Sequence, residues 1–322
     1  MTAVPAAPAD LATYLGELRG VVNSGLARVW PDDAPGLIVD AMQYAIVGGG
    51  KRLRPCLALA VAEAAGARQS LDARTAHLLA LPSACALEMV HTYSLVHDDL
   101  PAMDDDALRR GRPTAHVVYG DGLAILAGDG LLTEAFSVIA HSPSRVLPAG
   151  APEAAPAQRL RAVAVLASAA GAVGMVGGQA IDLAGAGRVI GRTAPPMNAA
   201  ALEDMHRRKT GALIRASAAL GAIAVNADES VLAAVDQYAK ELGLAFQIVD
   251  DLLDVEGSPQ TLGKTAGKDA AAGKPTFPAL HGVEPSKRLA ADCVARAHAA
   301  LATAGLAGRL GEIADWSLQR KS

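Results

Sequence analysis

Aromatic residues are scarce in this 322-residue chain, at 3% of the total, although hydrophobic residues of all kinds reach 51%. The core must therefore be built from Ala, Leu, Val and Ile. Ala and Leu are good helix formers, so the composition points to an all-α protein. Cysteine is as sparse. Cys56, Cys85 and Cys293 lie far apart, odd in number and without CxxC spacing, which excludes a disulfide or zinc framework and suits a reducing cytoplasm. Positive charge is not in excess, since 29 Lys and Arg against 33 Asp and Glu leave a formal net charge of −4. No basic stripe is interleaved with aromatics, so no nucleic-acid partner is expected. Residues 1–30 lack a basic start, an apolar run and a small-residue cleavage site, so a cytoplasmic protein is expected and an exported one is not. Residues 162–181 carry no charge and are long enough to cross a bilayer, but they are mostly Ala, Gly and Val with Gln179 near the end. Such small residues supply little transfer energy, and the segment reads as a buried helix, with no membrane span expected.

Apolar residues recur at helical spacing from about Leu11 onward, interrupted by Gly and Pro clusters, and no alternating strand pattern stands out. The Pro- and Ala-rich stretch at 142–156 has the look of a linker. Chemical motifs on both of its sides call for one shared site, however, so residues 1–322 are read as a single domain. The clearest helix starts after Asp228, a plausible N-cap, and carries an apolar stripe of Val235, Tyr238, Leu242, Phe246, Val249 and Leu253. At 100° per residue, Gln247, Asp250, Asp251 and Asp254 share the opposite face. A solvated face is the plain alternative, but it does not explain three carboxylates with no balancing Lys or Arg between residues 247 and 254. Carboxylates at i,i+4, such as Asp250 and Asp254, repel unless a cation sits between them.

A second acidic run is denser: Asp98, Asp99, Asp104, Asp105 and Asp106 fall within nine residues and are followed at once by Arg109, Arg110 and Gly111-Arg112-Pro113. Mg²⁺ takes a few carboxylate oxygens together with substrate phosphate oxygens, which two facing Asp clusters would provide. Guanidinium groups beside them would grip the same phosphates bidentately. One acidic run alone is as well explained as an exposed loop; two change the balance. A third element, Gly48-Gly49-Gly50-Lys51-Arg52-Leu53-Arg54-Pro55, frees backbone N–H groups beside three cations just before an apolar helix. It lacks P-loop spacing and follows no strand, so alone it is only a hint of phosphate binding; with the acidic pairs it suggests a second diphosphate held without metal.

Together, GGGKRLRP, DDLPAMD followed by RRGRP, GGQAID at 177–182, KTG at 209–211, FQIVDDLLD at 246–254, and LGK followed by GKPTFP resemble the trans-isoprenyl diphosphate synthase family, in that family's order. The resemblance implies a helical bundle with a central active-site cavity, a homodimer, and head-to-tail (1'-4) condensation of isopentenyl diphosphate with an allylic diphosphate, dimethylallyl or geranyl. It implies that Asp98, Asp99, Asp104, Asp250, Asp251 and Asp254 together hold three Mg²⁺, with Asp98, Asp104, Asp250 and Asp254 the chosen metal ligands. Arg109 would touch the allylic diphosphate, and Lys264 and Lys274 would reach it from mobile segments. Lys51, Arg54, His91 and Arg110 match the isopentenyl diphosphate site; Lys209, Thr210 and Gln247 match groups beside the allylic carbon. Product length in this family is gated by the side chains five and four positions before the first Asp, here Tyr93 and Ser94. A bulky Tyr93 within this DDLPAMD spacing resembles bacterial farnesyl diphosphate synthases. The alternatives are a geranylgeranyl diphosphate synthase, a terpene cyclase, which needs no isopentenyl site, and a non-catalytic prenyl synthase subunit, which typically loses one Asp motif. Asp105, Asp106, Arg207 and Arg208 read as surface charges, and Trp30 and Trp316 as packing anchors. His77, His116, His141, His206, His281 and His298 receive no role because they lack metal-ligand spacing.

Overall fold

The computed structural model describes residues 10–191, 197–256, 276–306 and 308–320. Helices α1 (Leu11–Leu26), α2 (Gly36–Val47), α3 (Leu53–Ala67) and α4 (Ala73–Asp98) come first. Short strands β1 (Leu108–Arg109) and β2 (Arg112–Pro113) then pair antiparallel, a ladder too short to leave an alternating pattern in the sequence. Helices α5 (Ala115–Tyr119), α6 (Asp121–Ala140), α7 (Pro156–Ala170), α8 (Met175–Gly185) and α9 (Ala199–His206) follow. A π turn at Arg207–Gly211 leads into α10 (Ala212–Ala224) and α11 (Glu229–Glu256). The last three are α12 (Phe277–His281), α13 (Val283–Thr303) and α14 (Arg309–Gln319).

The starts of α1, α4 and α11 follow from their capping residues. Asp10 and Asp72 accept the backbone N–H groups of Thr13 and Thr75, at 2.7 and 2.9 Å, and Asp228 does the same for Val231 at 2.9 Å, each satisfying a donor that the first turn leaves unpaired. Helix α4 lies at the centre, packed against α3, α6 and α10, while α10 and α13 both pack on α11. One hydrophobic cluster runs from Leu18 in α1 to Ala314 in α14. Small residues let helix backbones approach closely: a Cβ at Gly221 in α10 would lie 2.2 Å from the Ala58 carbonyl oxygen in α3. The all-α expectation holds, and the three cysteines are buried as small core residues.

Two expectations need correction. Residues 162–181 form no single buried helix: the chain breaks at 171–174, where a Cβ at Gly174 would meet the Ala169 carbonyl oxygen at 2.1 Å, and in α8 only Met175 and Gly178 are buried. The run is charge-free because one face of α8 lines a cavity, with Met175, Val176, Ala180 and Leu183 on its wall. By length and composition, Asp121–Ala140 and Pro156–Gly185 would suffice to cross a membrane; here they pack on α4 and α10 as parts of the bundle. The second correction concerns Asp251, placed by periodicity on the polar face opposite the apolar stripe. It is 5% exposed, because the start of α12 folds over that side of α11 and donates the Phe277 N–H to its carboxylate at 2.9 Å.

Candidate active site

The last turns of α4, the π turn, α8 and the start of α3 enclose a cavity of about 380 Å³. It gathers Arg54, His91, Tyr93, Ser94, Asp98, Lys209 and Thr210, residues that are far apart in the chain. The π turn makes this possible. Its wider winding, a local defect found mostly at functional sites, swings Lys209 and Thr210 onto the cavity wall. It also presses on α8: a Cβ at Gly178 would lie 2.2 Å from the Lys209 backbone nitrogen, so the second glycine of GGQAID is needed for close approach.

Asp98 ends α4 at the cavity. Burial raises its carboxyl to about 6, an effect that Lys209 opposes and nearby Asp104 adds to. Gln179 of α8 donates to its Oδ1 at 2.8 Å. Lys209 is itself held, its Nζ 2.6 Å from Asp182. Asp99 turns the other way: it is 3% exposed, and Arg109 Nε lies 2.9 and 2.8 Å from its two oxygens. Asp104 sits in the following loop, where Arg188 reaches it at 3.4 Å and also donates to the Met103 carbonyl.

Arg54, on the cavity wall, has further cations around it. Arg110 donates to the Gly49 carbonyl, and Lys51 lies 5.6 Å over the Trp316 ring, so Trp316 is a cation partner as well as a packing residue. Arg54 Nε is buried without a hydrogen bond among the described residues. Burial depresses Lys51, Arg54 and Arg110; Arg320 adds to the effect at Lys51, while Glu88 is the first group to oppose it at Arg54 and Arg110. His91 lies well below its ordinary value, first through burial and then through Arg54, Arg110 and Arg109. The remaining cation of GGGKRLRP, Arg52, does not face this group. Arg52, in the left-handed region at φ 51°, buries its guanidinium on Glu88 and the Ile46 carbonyl, both at 2.6 Å, and so anchors the glycine loop to α4 and α2.

On α11, Gln247 Nε2 donates to Asp251 Oδ1 at 3.3 Å, and His206 Nε2 stands 3.9 Å from Asp251 Oδ2. Asp250 pairs with Arg320 at 2.7 Å, a cation that follows α14 and stacks on Phe246 at 3.6 Å. It relieves the repulsion expected between Asp250 and Asp254. Asp254 is half-buried one turn further on. Lys264 and Lys274 lie outside the described residues. Among the described residues, no group of three or more His, Cys, Asp or Glu is arranged to hold a metal.

Sequence reasoning gave no role to Gln179, Asp182, Arg52, Arg320 or His206. The first two carried a signal: they are the polar residues of an apolar stretch, spaced three apart on one helical face. The ion pair of Arg320 with Asp250 spans the chain and left none.

The polyprenyl synthetase family model matches residues 35–304. The chain belongs to the polyprenyl synthetase family. It is 45% identical over 289 residues to the farnesyl diphosphate synthase of Escherichia coli (strain K12), covering 88% of this chain and 89% of that one. It is 42% identical over 278 residues to the geranylgeranyl diphosphate synthase of Cyanophora paradoxa, covering 86% and 85%. A crystal structure of an FPP/GFPP synthase from Zymomonas mobilis matches with a TM-score of 0.76 at 34% identity, covering 96% and 97%. The chain is thus a trans-prenyl diphosphate synthase by family, with relatives named for more than one product length.

Proposed function

We propose that this family member is a Mg²⁺-dependent prenyltransferase that joins isopentenyl diphosphate head-to-tail to dimethylallyl and geranyl diphosphate and releases (E,E)-farnesyl diphosphate. The observation that carries this reading is the pairing of two unlike sites on one cavity: an acidic end at Asp98, and a cationic end at Arg54 and His91. Burial depresses Arg54 on the cavity wall and, beyond it, Arg110 and Lys51, so the cationic group around Arg54 favours a strongly anionic ligand. Isopentenyl diphosphate supplies that charge, and His91, neutral there, retains one ring N–H to donate.

The acidic residues fit Mg²⁺. Asp98, raised by burial with Lys209 opposing and Asp104 adding to the shift, is a carboxyl that a bound cation would stabilise in its charged form. Mg²⁺ completes its shell with diphosphate oxygens and water, so it needs only a few carboxylates. Asp98, Asp104, Asp250 and Asp254 would hold these ions, three by family resemblance, and Mg²⁺ there would supply positive charge to the diphosphate as leaving group. The Lys209 carbonyl, the Thr210 hydroxyl and the Gln247 amide oxygen stabilise the delocalised cation as fixed dipoles. The isopentenyl double bond attacks it, and the released pyrophosphate takes the proton. Arg109, Lys264 and Lys274 are assigned to the allylic diphosphate. Tyr93, buried at 6% exposure with its ring 5.7 Å from His97, and Ser94, bonded to the His91 carbonyl at 2.9 Å, limit the product to fifteen carbons.

Leu37, Val47, Val117, Val118, Ile125 and Leu126 leave an exposed apolar face on α2, α5 and α6, which we assign to a homodimer contact between cytoplasmic, single-domain chains. The function is tested by incubating purified protein with Mg²⁺, radiolabelled isopentenyl diphosphate and, separately, dimethylallyl, geranyl or farnesyl diphosphate, then resolving the dephosphorylated alcohols. Farnesol as the end product supports the whole reading. Geranylgeraniol would keep the reaction and remove the Tyr93 argument; no condensation with any primer would overturn the reading.

A further inference from the structure

The two adjacent aspartates of the second acidic motif have different surroundings. Asp250 is partly exposed and meets a cation; Asp251 is buried and meets hydrogen-bond donors. Asp251 Oδ2 accepts the Phe277 N–H at 2.9 Å, and Oδ1 accepts from Gln247 Nε2 at 3.3 Å. The His206 ring, 11% exposed, stacks on Phe277 at 5.6 Å between centroids and places Nε2 3.9 Å from Asp251 Oδ2. That nitrogen has no hydrogen-bond partner among the described residues.

We propose that Asp251 is a positioning residue, not a metal ligand: it fixes which end of the Gln247 amide is left for the allylic cation, and His206 and Phe277 hold it in place. A carboxylate accepts hydrogen bonds only, so it selects the NH₂ end of the amide and leaves Oε1 for the site. A reversed amide would present N–H groups to a carbocation, and a dipole of the wrong sign destabilises the state it faces. His206 completes the support. Its Nε2 is one short movement from Asp251, and its ring is fixed by the fully buried Phe277, so α9, α11 and α12 are joined at one carboxylate beside the π turn that carries Lys209 and Thr210.

This inference rests on the proposed condensation, so wild-type turnover is measured first; a wild type that condenses nothing removes both together. In active protein, Asp251→Asn is compared with Asp250→Asn by steady-state kinetics and by calorimetry of Mg²⁺ with inorganic pyrophosphate. Asp251→Asn is expected to lower kcat on the order of 10²-fold, the usual loss when one preorganised dipole is removed. KM and Mg²⁺–pyrophosphate affinity should stay within about twofold, the ordinary scatter of independent sites. In a Gln247→Ala background the same substitution should have no further effect. His206→Phe, which keeps the stack, should lower kcat in the same way, and His206→Gln, which restores a donor, should recover most of it. Pyrophosphate binding that weakens as much for Asp251→Asn as for Asp250→Asn, or losses that add in the double variant, would overturn the assignment.

Discussion

Replacing Tyr93 by Ala should lengthen the product by at least one isoprene unit. The ring lies on the cavity wall beside Asp98 and Ser94, 6% exposed, edge-on to His97 at 5.7 Å. Truncation removes a six-carbon ring and its hydroxyl, space enough for the five carbons of one more unit. At about 0.8 kcal/mol per buried carbon, seating those five carbons is worth about 4 kcal/mol. That is close to three decades in the balance between release and further extension, because each 1.4 kcal/mol is tenfold. It is an upper limit, since the wall will partly collapse into the space. The fold should lose about 3 kcal/mol, the low end for a large-to-Ala change, because Tyr93 borders an existing cavity. Chromatography of the dephosphorylated products reads the chain length, thermal unfolding reads the stability, and Tyr93→Phe, which keeps the ring, should still stop at fifteen carbons. A folded Tyr93→Ala protein that still released only the fifteen-carbon product would refute Tyr93 as the floor of the cavity.

Binding of Mg²⁺ with pyrophosphate should weaken as pH falls through about 6, where Asp98 takes up a proton. The sign for the ligand-free fold is opposite: a carboxyl whose folded pKa lies above its unfolded value holds its proton more tightly when folded, so stability rises as pH drops from about 6 toward the ordinary carboxyl range. Gln179→Leu, which removes a donor to the charged form, should move the binding midpoint to higher pH in a calorimetric titration. Glu88→Leu strands the buried Arg52 and should destabilise the fold by about 3–5 kcal/mol in urea unfolding, and adding Arg52→Met should restore much of it. Gly178→Ala places a methyl 2.2 Å from the Lys209 backbone nitrogen; turnover should fall as the π turn shifts, with a stability loss of about 1–3 kcal/mol by thermal melting.

The helical fold was legible because its cause is compositional and periodic. Ala- and Leu-rich helices with Asp caps write themselves into local sequence, and of the stripe on α11 Val235, Tyr238, Leu242 and Val249 are buried while Phe246 and Leu253 are half-buried. The gathering of Arg54, His91, Asp98, Lys209 and Thr210 around one cavity was inferable from motif chemistry. What stayed hidden is direction. Nothing in KRLR distinguishes Arg52, which turns to Glu88, from Arg54, which turns to the cavity. Nothing in the acidic pairs tells Asp98 from Asp99, or Asp250 from Asp251; in each pair the second residue is buried on a donor from another part of the chain, Arg109 in one case and the Phe277 N–H in the other. Residues 162–181 misled for a similar reason: a helix face that lines an apolar cavity has the composition of one that is buried. His206 was passed over because only its tertiary setting, beside Phe277 and Asp251, gives a lone histidine a use.

The central claim is that ionisation of the allylic diphosphate is coupled to capture by isopentenyl diphosphate. The direct test is to follow pyrophosphate release from geranyl diphosphate and Mg²⁺ with and without isopentenyl diphosphate, alongside the organic product. The account requires one pyrophosphate for each isopentenyl unit incorporated and little release without it. Rapid release from geranyl diphosphate alone, with cyclic or hydrolysed terpene as the product, would contradict it.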